Sequence, residues 1–346
     1  MIYINAISYH FPEKSITNEE LITDFNTNWN KEKIKISSEE LYNQCWVNKR
    51  YISRLDETAK DLGNAAANKL FKEWNINKNE IEYIIFVSDA LEYKGPTTAC
   101  IIQNDLGLSQ NCGAIDVLHG CTGFIYGLSL AKALIESKQV TNVLLITADV
   151  PTKVIHPLDL DLRAIFSDAA AATLISNKKI NAGINARPTN FTFGTDGSGA
   201  KSLFVEHSAT KEPASIKWLT QFKKIPTGLE GGRLRMNSSK IFLFALKKLP
   251  QLIQEILIKE NLLISEIDYF VLHQANGQML DFIRKKLNID EEKFIINIKE
   301  IGNTVSASIP IALYQIFKEK KLQKSQQILI SGFGIGLSWG GTILKT

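Results

Sequence analysis

Only four cysteines occur in the 346-residue chain, Cys45, Cys100, Cys112 and Cys121, and no two of them form a C-x-x-C pair. The five histidines fall singly, so the Cys/His clustering of a structural zinc site is missing. So few thiols also fit a reducing compartment better than a disulfide framework. No apolar run approaches the roughly 18 residues that a membrane span needs. The start, Met1 to Pro12, reads as a strand and a turn rather than the basic-then-apolar pattern of a secretory signal. A cytoplasmic protein is expected, with no metal, no cofactor and no membrane contact. Charge is near balance, with 40 Lys and Arg against 36 Asp and Glu. The lysines are scattered and form no basic stripe interleaved with aromatics, which excludes nucleic acid as a partner. Nor does a linker rich in Pro, Gly or Ser divide the chain.

What the chain does contain is a repeat. Glu80-Ile-Glu-Tyr-Ile-Ile-Phe-Val-Ser-Asp-Ala90 resembles Glu266-Ile-Asp-Tyr-Phe-Val-Leu-His-Gln-Ala275, at an offset of 186 residues from Ile81 to Ile267. A helical stretch precedes each, Ala59 to Trp74 and Ser238 to Asn261. A second apolar strand follows each at matching distance, Asn142 to Ala148 and Gln327 to Gly332. A third strand is expected at Phe294 to Ile298, and a helix from Ser306 to Lys318. Strands that are continuous apolar runs indicate sheets covered on both faces by helices. The period is too long for a solenoid and implies duplication of a whole α/β half. Two halves, 1–180 and 181–346, are therefore expected to pack as a layered α/β sandwich. The polar stretch 23–51 reads as an inserted cap over one edge of the first half. Asn190 to Met236, with its glycines, reads as hairpins and loops.

Cys121 stands where an apolar strand hands over to an amphipathic helix, in Asp116-Val-Leu-His-Gly-Cys-Thr-Gly-Phe124. A thiol at a helix N-terminus faces unpaired N–H groups and the positive end of the macrodipole, so a lowered pKa is expected. Gly120 and Gly123 allow a sharp turn there. Alone, Cys121 would read as an ordinary core cysteine, His273 as a strand-end histidine and Asn303 as a turn residue. All three, however, fall at the carboxyl ends of strands in matching halves, where open α/β sheets gather functional groups. A Cys thiolate is the nucleophile that acyl transfer through a thioester requires.

These segments resemble the thiolase superfamily, and within it the ketoacyl-acyl-carrier-protein synthase III family. The resemblance rests on Asp116 to Phe124, on His273-Gln-Ala-Asn276, on Gly302-Asn-Thr-Val-Ser-Ala-Ser-Ile-Pro310 and on Phe333-Gly-Ile-Gly-Leu-Ser-Trp-Gly340, in that order along the chain. It implies a duplicated thiolase-like α/β/α/β/α sandwich and a homodimer. It also implies decarboxylative Claisen condensation of a Cys-bound acyl group with a malonyl-type or 3-oxoacyl thioester. Cys121 would be the nucleophile, and neutral His273 with Asn303 would donate to the thioester oxygen. The N–H groups of Cys121 and Ile335 would form the oxyanion hole, and Gly95, His119 and Gly336 would shape the substrate pocket. Lys285 and Lys286 would help to dock an acyl carrier protein.

Several positions depart from the family. Glu40 stands where acyl-CoA users carry a Trp that stacks on adenine, Gln44 where they carry a nearby Arg, and Leu160 where they carry the stacking Arg. Gln278 replaces an Arg associated with carrier docking, and Gly95 replaces a bulky Phe. Cation–π attraction and phosphate pairing are lost together. A divergent member taking carrier-bound or unusual acyl groups, as in secondary metabolism, is therefore expected. Acyl transfer to oxygen or nitrogen, and a non-catalytic partner subunit, are the competing functions. Glu92 reads as a solvated loop carboxylate, His119 as a packing residue, and His10, His156 and His207 carry no motif.

Overall fold

Val, Ile, Leu and Ala fill the central strands almost without polar interruption, and such strands are stable only when both faces are covered. The computed structural model, which describes residues 1–30, 32–211, 232–319 and 325–346, shows how they are covered. One five-stranded sheet runs in the order Tyr3–His10, Ala169–Ser176, Asn142–Asp149, Tyr83–Ser88, Gly113–Leu118. A second sheet runs Tyr269–Leu272, Gln327–Gly334, Ser338–Lys345, with Arg187–Pro188 and Thr192–Thr195 both pairing to its far strand. In each sheet two parallel neighbours are followed by antiparallel ones. Tyr83 pairs with Val143 in the first, and Tyr269 pairs with Ile328 in the second.

Two helices, Gly123–Glu136 and Ser308–Glu319, lie between the sheets. Their apolar residues join one core with Ile85, Val87 and Leu145 from one sheet and Val271, Ile328 and Ile330 from the other. Ala59–Glu73 and Thr98–Asp105 cover the outer face of the first sheet. Ser238–Glu260 and Gly277–Lys286 cover that of the second. The arrangement is the layered α/β sandwich expected from the repeat, in the α/β/α/β/α form that the resemblance implied. No helix among the described residues is long and apolar enough to cross a membrane.

The cap comprises helices Asn18–Asp24 and Ser38–Cys45, each opened by a capping box, and a short antiparallel pair, Ser15–Thr17 with Lys49–Tyr51, that closes its base. It packs on the second half, where a Cβ on Gly277 would fall 2.6 Å from the Cβ of Trp46. Between 190 and 236 the structure shows strands Leu203–Glu206 and Arg233–Met236 in an antiparallel pair. Most of the expected glycine turn at 228–232 lies outside the described residues.

One expected strand is replaced. Phe294 to Ile298 forms only a single parallel bridge, Phe270 to Phe294, and then turns into a 3-10 segment at Ile298–Glu300. The buried side chain of Gln274 substitutes for the missing ladder. Its Nε2 donates to Leu272 O (2.8 Å) and Ile295 O (3.1 Å), and its Oε1 accepts from Asn297 N (2.9 Å). Replacing Gln274 by Ala would orphan these buried backbone groups. A loss of about 2–3 kcal/mol in unfolding free energy is expected by urea denaturation, and a loss within experimental error would refute this role.

Candidate active site

The nucleophile turn is held from both halves. Gly123 N donates to Gly120 O at 2.7 Å, closing the bend ahead of the central helix. Asp116, at the end of the preceding strand, accepts from Thr98 N and Ala99 N and so caps the helix Thr98–Asp105. Thr122 Oγ1 meets Ser338 Oγ at 2.9 Å, and Ser338 in turn donates to Ile335 O. Gly334 must be glycine on two counts. Its φ is +153°, and a Cβ there would stand 2.7 Å from both the Cβ and the sulfur of Cys121.

Cys121, His273 and Asn303 line one cavity of about 470 Å³. Its walls are apolar, with Phe166, Leu203, Met236, Ile241, Phe242, Met279 and Phe333 among them. Leu243, 65% exposed, together with Gln44 and Gln278, marks its open end. Asn303 is fixed from several sides. Its Oδ1 accepts from Val305 N (2.9 Å), its Nδ2 donates to Ala275 O (3.2 Å), and its backbone bridges to Phe166. One Nδ2 hydrogen is thereby left for a ligand. His273 Nδ1 lies 2.7 Å from Ser308 Oγ, while its buried Nε2 has no partner.

The electrostatics reverse the expectation for the thiol. Burial pushes Cys121 up to about 12, and the neighbouring Asp89 and Asp149 add to that effect. The N–H groups of Ile335 and Cys121 hydrogen-bond toward the sulfur and oppose the rise. The helix terminus is present as read from the sequence, but desolvation outweighs it. Burial likewise drives His273 down to about 3, against the Val305 carbonyl, so the imidazole is neutral at ordinary pH. Asp149, buried behind the site, is pushed well above the carboxylate range by desolvation and by Asp89. Its carboxyl accepts from the N–H and hydroxyl of Ser306.

Other expected positions fall elsewhere. Gly95, His119 and Gly336 are not on the wall of this cavity. A Cβ at Gly95 would meet nothing within 4 Å. His119 contacts Thr122 Oγ1 and packs against Tyr126, with ring centroids 4.5 Å apart and planes tilted by 34°. Ile335 is placed as expected, with its N–H toward the sulfur. Lys285, with 66% of its side chain exposed, pairs with Asp281, and Lys286 donates to Leu246 O. Glu40 is committed to its own helix, accepting from the N–H and hydroxyl of Ser37. Leu160 packs in the cap core. Ser308, Ser306 and Asp149 were not singled out from the sequence. A Ser three or five residues beyond Asn303 was the available signal, but it reads equally as helix-start chemistry. No group of metal-binding side chains occurs among the described residues.

Comparison with known proteins adds independent findings. Residues 115–197 match the family model described as 3-oxoacyl-[acyl-carrier-protein (ACP)] synthase III, and residues 257–346 match that of its C-terminal part. The chain is 34% identical over 334 residues to a beta-ketoacyl-[acyl-carrier-protein] synthase III of Clostridium perfringens, covering 96% of both. It is 34% identical over 349 residues to the Clostridium tetani enzyme of the same name, covering 99% of this chain and 98% of that one. A crystal structure of a 3-oxoacyl-(acyl-carrier-protein) synthase III superposes with a TM-score of 0.89 at 34% identity, over 100% of this chain and 99% of the other.

A thiol pushed up to about 12 alkylates slowly at neutral pH. The rate of Cys121 modification by iodoacetamide, followed on its peptide by mass spectrometry, should rise about tenfold per pH unit between 7 and 10. A plateau reached below pH 8 would show a depressed pKa instead.

Proposed function

The chain belongs to the 3-oxoacyl-[acyl-carrier-protein] synthase III family, and from that premise we propose the roles of its residues in decarboxylative Claisen condensation. Cys121 attacks the carbonyl of an acyl thioester and becomes S-acylated, releasing the donor thiol. A malonyl-type thioester then loses carbon dioxide beside Asn303 and His273, and its α-carbon bonds to the acyl carbonyl carbon. Collapse of that adduct frees the Cys121 sulfur and leaves a 3-oxoacyl thioester. The supporting observation is the meeting of Cys121, His273 and Asn303 in one apolar cavity.

Asn303 Nδ2 donates to the thioester oxygen as enolate charge develops, where a preorganised donor is most effective. The N–H groups of Cys121 and Ile335 do the same for the tetrahedral oxyanion, and their present direction toward the sulfur supports this. The preferred acyl donor is carrier-bound rather than acetyl-CoA. Glu40 locked in a capping box and Leu160 packed in the cap core leave no planar pair to hold an adenine. Lys285 offers an exposed cation on the helix that also carries Gln278 at the open end. A cytoplasmic location, where acyl carriers and reduced thiols coexist, belongs to the same reading.

A homodimer completes it. Gly113–Leu118 ends its sheet with no further strand among the described residues. Ile115 (40% exposed) and Leu118 (70%) lie on it, and Leu130 and Phe193 are exposed as well. An unpaired apolar edge of this kind is a pairing surface. Leu118→Lys should shift the protein from dimer to monomer in size-exclusion chromatography with light scattering, and an unchanged dimer would place the interface elsewhere.

Intact-protein mass spectrometry tests the chemistry. Acyl-carrier donors should load Cys121 rapidly, and acetyl-CoA at least about 100-fold more slowly, equivalent to roughly 3 kcal/mol of barrier. Cys121→Ala should gain no acyl mass. Asn303→Ala should still acylate but release carbon dioxide from the malonyl thioester about 10²–10³-fold more slowly. Rapid acetylation by acetyl-CoA would overturn the donor assignment.

A further inference from the structure

Ser308, the first residue of the second central helix, is 3% exposed and stands behind His273. Three contacts converge on its hydroxyl. His273 Nδ1 lies at 2.7 Å, Val305 O accepts at 3.0 Å, and Gln274 N donates at 3.4 Å. A hydroxyl owns one hydrogen and two acceptor sites. Val305 O can only accept, and Gln274 N can only donate. One assignment satisfies all three contacts: the hydroxyl donates to Val305 O and accepts from Gln274 N–H and from a proton on His273 Nδ1. If the hydroxyl turned its hydrogen to Nδ1 instead, Val305 O would lose this bond and face a bare oxygen at 3.0 Å, an arrangement that buried polar groups avoid.

The geometry points to Ser308 as the positioning residue that keeps a proton on Nδ1 of His273, so that Nε2 is the atom that takes and gives protons at Cys121. This rests on the roles proposed above and changes one of them. A neutral His273 in this tautomer cannot donate from Nε2, as the resemblance implied; Nε2 presents a lone pair in the unpartnered position facing the cavity.

The proton balance then closes over both halves of the reaction. In acylation the Cys121 S–H proton passes to Nε2 as sulfur bonds to the acyl carbon. The departing thiolate takes that proton back as its C–S bond breaks. In condensation the malonyl carboxylate brings a negative charge that favours the imidazolium, with the added proton drawn from water. Nε2–H then donates to the enolate oxygen and finally returns a proton to the expelled Cys121 sulfur. Nδ1–H stays on Ser308 throughout.

The test is the ¹⁵N spectrum of the intact protein labelled at histidine, with the His273 signals assigned by their loss in His273→Gln. A protonated-type signal at Nδ1 and a bare-type signal at Nε2 are expected in the free protein, and the opposite assignment overturns the proposal. Ser308→Ala should lower the maximal rate of Cys121 acylation about 10–100-fold, with the KM for the acyl donor unchanged. Ser308→Thr, which keeps the hydroxyl, should restore most of that rate. A folded Ser308→Ala protein with an unchanged rate sinks the role. Should Ser308→Ala fail to fold, the wild-type spectrum decides alone. Should no thioester acylate Cys121, the condensing roles fail, while the spectrum still decides what Ser308 does.

Discussion

Gly334 lies so close to Cys121 that a single methyl group would overlap the sulfur, and Gly332, on the same strand, lies as close to the backbone of the nucleophile turn. Through these two glycines the strand Gln327–Gly334 of the second sheet approaches the first half without an intervening side chain. That contact carries the Ile335 N–H to the sulfur and Ser338 to Thr122. Without it the two sheets could still bury apolar area, but the cavity would lose the wall against which the thiol is held. The duplicated fold thus converges on a point that tolerates almost no change in volume.

Burial of this kind sets the charge state of the whole site. Cys121 is pushed up, His273 down and Asp149 up, and in each case desolvation is the leading cause. The free site is therefore held near neutrality, although it is built from groups that could ionise. Charge appears when a substrate brings it, and then it interacts in a water-poor space with fixed donors. Asn303 suits this role because neither of its two anchoring bonds needs to break for it to donate to a ligand. Proton transfer between a neutral thiol and a neutral imidazole avoids storing a buried ion pair in the resting protein, which would be costly to desolvate.

Much of this was legible in the sequence because duplication shows twice. The Ile81 and Ile267 strands and their followers at matching distances gave the layering, and the strand ends pointed to Cys121 and His273, whereas Asn303 follows the 3-10 segment Ile298–Glu300 rather than a strand. The edge strand at Phe294 was misjudged because an apolar run does not reveal that a glutamine just beyond the neighbouring strand will satisfy its backbone. The thiol's pKa was misjudged for a related reason. A helix start is local and readable, whereas burial is set by residues 200 positions distant, such as Gly334. The cavity walls were invisible as such, since Ile241, Phe242 and Met279 follow the same helical spacing as ordinary core residues. Gly95 and Gly336 were carried over by resemblance, and the wall of this cavity is made by other side chains.

The cap helix uses Glu40 for its own start rather than for a ligand. Glu40 occupies the third position of its helix, where its carboxylate answers the N–H of Ser37, and Glu39 stands beside it in the same turn. Both are favoured there by the helix macrodipole. Both carboxylates lie on the helix that also carries Gln44, which lines the opening. On the reading proposed above, a donor whose far end carries nucleotide phosphates would find on this helix neither the guanidinium nor the indole that stacking needs. On the other side of the opening lie the exposed Leu243 and the edge-to-face pair of Phe242 and Phe282, with Lys285 beyond them on the helix of Phe282. On the same proposed reading, a thioester arm crosses this apolar rim while its carrier meets the lysine. The donor preference proposed above therefore rests on what the cap helix does not offer a nucleotide as much as on the exposed lysine beyond the rim.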